Sequence, residues 1–335
     1  MKYSESSLIS DEIKKSKKIL INLHRGPDGD SIGSALGLSS ILEKIGKEVS
    51  VVYTNTSRIA ENYLSVPNIN TIKQIDFSTF NFDEYDLFII PDTSEWIHVT
   101  DNEDALLPKI TTIVIDHHIN NSKFGTINLI DAGKSSCSEI IYLLAKDLDL
   151  EIDKTSATLL LLGMLTDTGM FRFSKNPDDL IHAAELMNLG ADKEFISKNI
   201  MDVFSFSQIK IYGEFISRLE LDKKYNFMYT SVPYEIYEKY NKPAKVSSTF
   251  STLFASSVND IDFGIVMLER EKNIIDISFR SRKFDVSRMA KELGGGGHIN
   301  ASGGCIKGMS FNDAVENVLM VAKKYASGNI THKLD

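Results

Sequence analysis

Cysteine is scarce in this chain: two among 335 residues, Cys137 and Cys305, at no metal-type spacing. That excludes a disulfide scaffold and suits reduced thiols in a cytoplasmic protein. No apolar run approaches the roughly 18 residues of a membrane span, so no membrane partner is expected. Lys14, Lys15, Lys17 and Lys18 precede only a short apolar run, which reads as a first strand and not a signal peptide. Internal repeats, low-complexity tracts and a Pro/Gly/Ser-rich linker are all missing. Positive charge is also short, with 37 Lys and Arg against 46 Asp and Glu and a net charge of −9. This argues against a uniform basic face for long duplex nucleic acid, which needs many cations over phosphates. The deficit is uneven: residues 1–220 carry −12 and residues 221–335 carry +3. What remains is ordinary for a soluble globular chain, at 42% hydrophobic and 25% charged residues. The length suggests two domains.

The first half alternates β-rich runs with helical patterns. Ile19–Leu23, Val49–Tyr53, Leu87–Ile90 and Thr112–Ile115 read as strands. Ser31–Ile45, Ser136–Leu148 and Thr155–Leu165 read as helices, with Ser136 and Glu139 spaced for a capping box. Such alternation predicts an α/β domain with a parallel sheet covered on both faces, through about residue 180. Residues 178–220 look mostly helical. Strand patterns at Phe227–Val232, Phe263–Leu268 and Ile274–Phe279 follow, then a helix at Val286–Leu293 and a glycine-rich turn. A short strand near Cys305 and a last helix at Asn312–Tyr325 complete a smaller α/β domain; the residues from Gly328 are expected to fray.

Four segments share one pattern, an apolar run ending in Asp or His. They are His24-Arg25-Gly26-Pro27-Asp28-Gly29-Asp30, Ile89-Ile90-Pro91-Asp92, Val114-Ile115-Asp116-His117-His118 and Leu165-Thr166-Asp167-Thr168-Gly169. Three leave strands, and ligands of open α/β sheets bind outside the carboxyl ends of strands. Taken singly, each has a plain structural reading. Pro27-Asp28-Gly29 is an ordinary turn, Asp92 a cap, His117-His118 incidental, and Asp167 the start of a turn. The conjunction carries the inference. Converging carboxylates repel and raise one another's pKa; divalent ions remove that cost and can be shared by carboxylates. Mixed imidazole and carboxylate donors suit Mn²⁺, whereas an all-oxygen set favours Mg²⁺ or Ca²⁺. Gly26 and Gly29 are expected to give the first loop freedom to aim Asp28 and Asp30.

In order and spacing these four segments resemble the motifs of the DHH phosphoesterase family. Gly294-Gly295-Gly296-Gly297-His298-Ile299-Asn300-Ala301-Ser302-Gly303-Gly304 resembles the glycine-rich signature of the DHH-associated domain. The likeness is strongest to bacterial enzymes that act both as oligoribonucleases and as phosphatases of 3′-phosphoadenosine 5′-phosphate (pAp). It implies a parallel-sheet catalytic domain at 1–185, a helical connector at 186–220 and a substrate-binding domain at 221–330, with the active site in the cleft between the domains. It implies two Mn²⁺ per site, with Mg²⁺ or Co²⁺ as substitutes. His24 and Asp28 would hold one ion, Asp30, His117 and Asp167 the other, and Asp92 would bridge them. Asp116 would orient His117, and His118 would reach the scissile phosphate. Pro91 departs from the apolar strand residue expected before Asp92. The reaction implied is in-line hydrolysis of a phosphate ester in short RNA or pAp, by a cytoplasmic homodimer.

In the second half, Gly294–Gly297 follows a helix, so it fails the context of a dinucleotide-fold fingerprint. The run is either a hinge or a loop whose backbone approaches a phosphate closely. Arg280 and Arg282 share one face of a strand and would suit forked phosphate contacts, or lie on a solvated edge. By resemblance Arg280 grips a terminal phosphate, and His298, Gly295, Gly296, Gly297, Asn300 and Ser302 belong to the substrate site. His98, His182 and His332 stand alone and read as structural; Trp96 could stack a base but suits packing better. The rival readings are an inorganic pyrophosphatase, which would lack the glycine-rich segment, a linear or cyclic dinucleotide phosphodiesterase, and a nucleotide-binding regulatory module with a vestigial site. Asp28, Asp30, Asp92 and Asp167 supply −4 of the −12 in the first part, and two divalent ions would return it. The −8 left still opposes long polyanions, which points to short ones.

Overall fold

The computed structural model describes residues 3–54, 58–100, 102, 105–201, 204–255, 257–282 and 284–327. The expected fraying from Gly328, and His332 with it, lies outside those residues. The chain divides into two compact units, Met1–Val203 and Phe204–Asp335, a boundary inside the stretch 186–220.

The first unit is built on six parallel strands, β1 (Lys18–Asn22), β2 (Glu48–Thr54), β3 (Lys73–Ile75), β4 (Leu87–Pro91), β5 (Thr111–Asp116) and β6 (Ile127–Ile130), in the order β3-β2-β1-β4-β5-β6. Period-2 alternation splits the strand residues between two faces. Ile19, Ile21, Leu87, Ile89, Ile113 and Ile115 pack against α1 (Ser6–Lys15), α2 (Gly29–Lys44), α3 (Cys137–Asp147), α4 (Lys154–Asp167) and α5 (Asp178–Asn188). Leu20, Val52, Phe88, Ile90 and Val114 face the other way, under Phe77, Phe80, Phe82, Tyr85, Trp96 and Phe124. Both faces are covered as expected, but the second by aromatic loop residues and not by α-helices. Trp96 belongs to that cover, its ring 6.0 Å from Phe77 and its Nε1 donating to Ala105 O at 2.6 Å. β3 and β6 escape sequence reading because they are short; α1 escapes it too, although Ile9 and Ile13 stand at helical spacing and are buried.

Order in this sheet reverses between β1 and β4, whose successors run to opposite edges. A crevice at the carboxyl ends of such a pair is the usual ligand position in open α/β sheets. His24 and Asp28 follow β1, and Asp92 follows β4. Pro91 ends β4 at no cost to the ladder: the β1–β4 register stops at Ile21–Ile89, and on the other side Asp92 N donates to Ile115 O at 2.8 Å.

Glycine draws α2 and α4 together. A Cβ on Gly33 would lie 2.4 Å from Leu159 O, and one on Gly29 2.4 Å from Thr166 Oγ1. Gly29 is therefore the first residue of a helix in close contact, and not the flexible loop residue expected; Gly26, at φ +70°, does have the left-handed conformation that glycine permits.

The second unit carries a mixed six-stranded sheet, ordered β11-β12-β10-β9-β8-β7. The strands are β7 (Glu220–Asp222), β8 (Phe227–Val232), β9 (Phe263–Glu271), β10 (Ile274–Ser281), β11 (Gly296–His298) and β12 (Ala301–Lys307). One face packs on helices Ser287–Glu292 and Phe311–Ala326, the other on Phe206–Ser217 and Val246–Phe250. The glycine run is not the single turn expected. Gly294, at φ +76°, ends helix Ser287–Glu292 in a Schellman arrangement, with Gly295 N donating to Ala290 O and Gly294 N to Lys291 O. Gly296–His298 is then an edge strand hairpinned to β12 through Ile299 and Asn300.

Candidate metal centre

Asp28 caps α2, its Oδ1 accepting from Asp30 N at 3.1 Å and Ser31 N at 3.0 Å. The cap fixes the loop that leaves β1. His24 Nδ1 lies 2.9 Å from Arg25 O, which suits an Nδ1–H donor and leaves Nε2 with its lone pair for a ligand. That Nε2 stands 3.6 Å from Asp28 Oδ1 and 3.5 Å from Asp92 Oδ2. Asp92 adopts φ +54° just past β4, a left-handed turn that aims its carboxylate back over the strand ends. Its other oxygen lies 3.5 Å from His117 Nε2 and 3.9 Å from His118 Nδ1. His117 Nε2 is also 3.3 Å from Asp167 Oδ2, at the end of α4. Asp30 is buried in the first turn of α2, where both its oxygens accept N–H groups from the start of α3: Cys137 N to Oδ2 at 2.6 Å and Ser138 N to Oδ1 at 3.0 Å.

Two sets of ligand atoms therefore converge, His24 with Asp28 and Asp92, and Asp30 with His117 and Asp167, the atoms within each set lying within 4.8 Å of one another. Asp92 also joins Asp116, His117 and His118 in a third grouping of the same kind. The donor set fits divalent cations. Most of these separations exceed hydrogen-bond length, and the buried atoms Asp92 Oδ1 and His117 Nδ1 have no hydrogen-bond partner. Two imidazoles and four aspartates in the two sets are the chemistry that imidazole- and carboxylate-binding metals take.

Electrostatics reflects the crowding. Burial raises Asp30 well above the usual carboxylate range, and the charges of Asp92 and Asp167 add to it. Burial likewise raises Asp167, to about 6, with His117 opposing and Asp92 adding. Burial works against the charge on His117, yet the carboxylates of Asp92, Asp167 and Asp30 push it up to about 10. Burial also opposes the charge on Asp92, whose carboxyl is nonetheless held well below its ordinary value by His117 and His24.

Asp116 does not reach His117, as the sequence reading had it. Its Oδ1 takes His118 Nδ1 at 2.7 Å, while its Oδ2 accepts from Asn121 Nδ2 at 2.7 Å. Alternation explains the difference: neighbouring residues leaving a strand point apart, so the carboxylate meets the ring two positions on. Asn121, which also donates to Thr93 O at 3.0 Å, had no signal beyond its nearness to the His pair. Gly33 and Gly163 were also missed. Their signal is small residues within apolar helices, and a Cβ on Gly163 would fall 2.5 Å from Asp30 Oδ1.

The remaining candidates gather in the second unit. Arg280, on β10, is half-buried, and its Nε and Nη2 donate to Thr252 Oγ1 at 3.2 and 3.1 Å while Nη1 donates to Phe279 O. The Arg280–Ala301 pair sets it beside the β11–β12 hairpin. There His298 is exposed, and Ser302 is buried with its Oγ donating to His298 O at 2.6 Å, so this hydroxyl closes the hairpin. Asn300 O accepts from Ser281 N at 2.9 Å. A Cβ on Gly295 would lie 2.0 Å from Gly303 O, and one on Gly297 2.7 Å from Ala301 O, whereas Gly296 has open space.

The DHH family, N-terminal domain, matches residues 18–164, and the DHHA1 domain matches residues 226–328. The chain belongs to the DHH phosphoesterase family. It is a hydrolytic enzyme, carrying an acidic cluster fit for metal ions. Among its relatives is the "Bifunctional oligoribonuclease and PAP phosphatase NrnA" of Thermus thermophilus, 27% identical over 96% of this chain and 95% of that protein. Another, "Probable bifunctional oligoribonuclease and PAP phosphatase NrnA" of Streptococcus mutans, is 26% identical over 91% of this chain and 94% of the relative. The "Cyclic-di-AMP phosphodiesterase PdeA" of Listeria monocytogenes is 26% identical over 96% of this chain but only 50% of that protein. A solved "exopolyphosphatase-related protein" from Bacteroides fragilis superposes with a TM-score of 0.87 at 27% identity, covering 97% of each chain. No helix among the described residues is long and apolar enough to cross a membrane.

Proposed function

We infer that this enzyme hydrolyses short oligoribonucleotides to 5′-mononucleotides and dephosphorylates pAp to AMP, using two Mn²⁺ ions. The observation that carries this reading is the position of Asp92 between two ligand sets at the sheet's reversal point. It stands in a chain aligned along 94% and 95% of two relatives named for those two activities. Alignment to half of a cyclic-di-AMP phosphodiesterase supports the runner-up, hydrolysis of a dinucleotide. The DHHA1 match over residues 226–328 speaks against a pyrophosphatase.

In this reading His24 and Asp28 would hold one ion and Asp30, His117 and Asp167 the other, with Asp92 placed to serve both. When bound, the ions supply Lewis acidity and a more acidic water at the phosphorus. His118 places a donor toward the phosphate, and Asp116 fixes its ring and favours the imidazolium, against the burial that lowers its pKa. Asn121 holds Asp116 in turn. Arg280, anchored by Thr252 and Phe279 O, still has N–H groups to offer a terminal phosphate. Gly296, free of steric limits on a strand edge, and His298 beside it suit close approach of an anion. A cytoplasmic homodimer belongs to the same reading.

The test is turnover. Purified full chain with Mn²⁺ is offered pAp, dinucleotide RNA, cyclic di-AMP and pyrophosphate. Mononucleotides from RNA and phosphate from pAp are expected. Preference for cyclic di-AMP would favour the runner-up, pyrophosphate alone would defeat both, and no turnover would favour a regulatory module.

A further inference from the structure

The geometry points to a buried network of Lys134, Glu139 and His182 as a positioning device for Asp30, acting through the first turn of α3. It rests on reading Asp30 as a metal ligand.

The carboxylate of Asp30 has both oxygens on backbone N–H groups of Cys137 and Ser138, so the orientation of this side chain follows wherever α3 begins. The start of α3 is fixed with unusual density. Ser136 caps it, accepting from Glu139 N at 3.1 Å. Glu139 does not complete the expected capping box toward Ser136 N. Instead its fully buried carboxylate takes Lys134 Nζ at 2.9 Å, His182 Nδ1 at 2.7 Å and Ser135 N at 3.4 Å. His182 is thus not the lone residue it looked in the sequence. Ser135 Oγ donates to Asp179 Oδ2 at 2.5 Å and accepts from Lys175 N at 2.9 Å. Lys175 Nζ reaches the carbonyls of Ala132 and Lys134, and Asn176 Nδ2 that of Gly133. Residues 132–139 are therefore stitched to 175–182.

Stability does not account for such a network. A buried ion pair is often no better than well-packed hydrophobic residues of the same volume, because both partners lose their hydration. Asp179 Oδ1, buried and without a hydrogen-bond partner, adds to that cost. What the network does provide is direction. Each bond fixes the angle of the peptide groups just before α3, and so the two N–H groups that aim Asp30 toward His117 and Asp167. Outer partners of this kind orient ligating groups.

Glu139→Gln keeps the volume and removes the charge. Mn²⁺ titration of the purified chain is expected to show a dissociation constant raised about 10- to 100-fold, and amide exchange at Cys137 and Ser138 in metal-free protein to quicken. A variant that melts earlier but binds Mn²⁺ with wild-type affinity would overturn the proposal. Should Glu139→Gln fail to fold, His182→Phe removes one contact and His182→Asn restores a donor. Weakened Mn²⁺ binding in the first and recovery in the second support positioning, and equal affinity in both overturns it. Asp30→Asn separates the premise: unchanged Mn²⁺ affinity there removes the ligand reading itself, whatever Glu139 does.

Discussion

The candidate metal cluster of the first unit and the glycine hairpin of the second, the two surfaces proposed to meet the substrate, are held in place by different means. In the first, side chains are fixed by specific hydrogen bonds: buried Asp30 by two N–H donors, half-buried His118 by buried Asp116, and Asp116 by Asn121. In the second, backbone pairing with β12 fixes the strand, helped by one hydroxyl, Ser302 Oγ on His298 O, and side chains that would intrude are missing, as at Gly295 under Gly303 O. The first region concentrates negative charge that cations must balance, and the second belongs to the part with a +3 surplus. A site made of side chains should fail sharply when one atom is removed. A site made of backbone should fail when one atom is added.

The sharpest break is removal of Asp92, which belongs to the set of His24 and Asp28 and lies 3.5 Å from His117 of the other. Asp92→Ala is expected to lower kcat/KM by roughly three orders of magnitude or more, because the metals' several kcal/mol of charge stabilisation depend on it. Mn²⁺ titration should show binding weakened, with the chain still folded by circular dichroism; ordinary activity would refute the assignment. Adding an atom comes next. Gly33→Ala places a Cβ 2.4 Å from Leu159 O, a backbone atom that cannot step aside, so α2 and α4 must part. We expect about 1–3 kcal/mol of destabilisation in urea unfolding, with activity lost as Asp30 and Asp167 separate. Gly296→Ala meets nothing within 4 Å, so its stability should barely change, and any effect should fall on KM. Arg280→Ala is expected to raise KM about tenfold or more, the worth of a hydrogen bond to a charged group, at nearly constant kcat. An unchanged KM would return Arg280 to the solvated edge.

The same contrast explains how much could be read from the sequence. The strands and helices that carry the candidate ligands were legible, because apolar runs of period 2 and 3.6 stop where His24, Asp92 and Asp116 begin. That Asp28, Asp30 and Asp167 would gather near the histidines was legible through the four-fold repetition of one pattern. Partnership was not. Alternation favours His118 over His117 as the partner of Asp116, but only if the strand geometry of β5 continues past Asp116, which the sequence does not reveal. Nor could Gly29, Gly33 and Gly163 be told from flexible glycines, since the reason for each lies on another helix. The glycine run was visible as a run, but its division into a helix stop and an edge strand depends on long-range pairing with β12. Trp96 and His182 read as structural, and each has a hydrogen-bond partner that no spacing predicts, Ala105 O and Glu139.

Protons offer a finer probe of the first region. In the metal-free protein His117, at about 10, is protonated at pH 8, and Asp167, at about 6, is ionised. A ligating imidazole must give up its proton, so Mn²⁺ binding at pH 8 should release protons. Below pH 6 Asp167 adds another to be displaced, and affinity should fall more steeply with acidity. Calorimetric titration at pH 8 and at pH 5.5, in buffers of different ionisation heat, counts them. A count that does not rise at the lower pH would mean that metal binding displaces no proton from Asp167.

The smallest effect is expected at Trp96, and it tests where the first region ends. The ring lies under the sheet among Phe77 and Phe124, and its one polar atom is already satisfied by Ala105 O. Trp96→Phe keeps an aromatic surface for packing and removes that hydrogen bond, so unfolding should come about 1 kcal/mol earlier. Both kcat and KM for dinucleotide RNA should stay within about twofold, since a phenyl ring preserves most of the packing and touches no ligand. A KM that rises severalfold without loss of stability would instead make Trp96 a base-stacking residue. The substrate surface would then extend from the metal cluster onto the aromatic cover of the sheet.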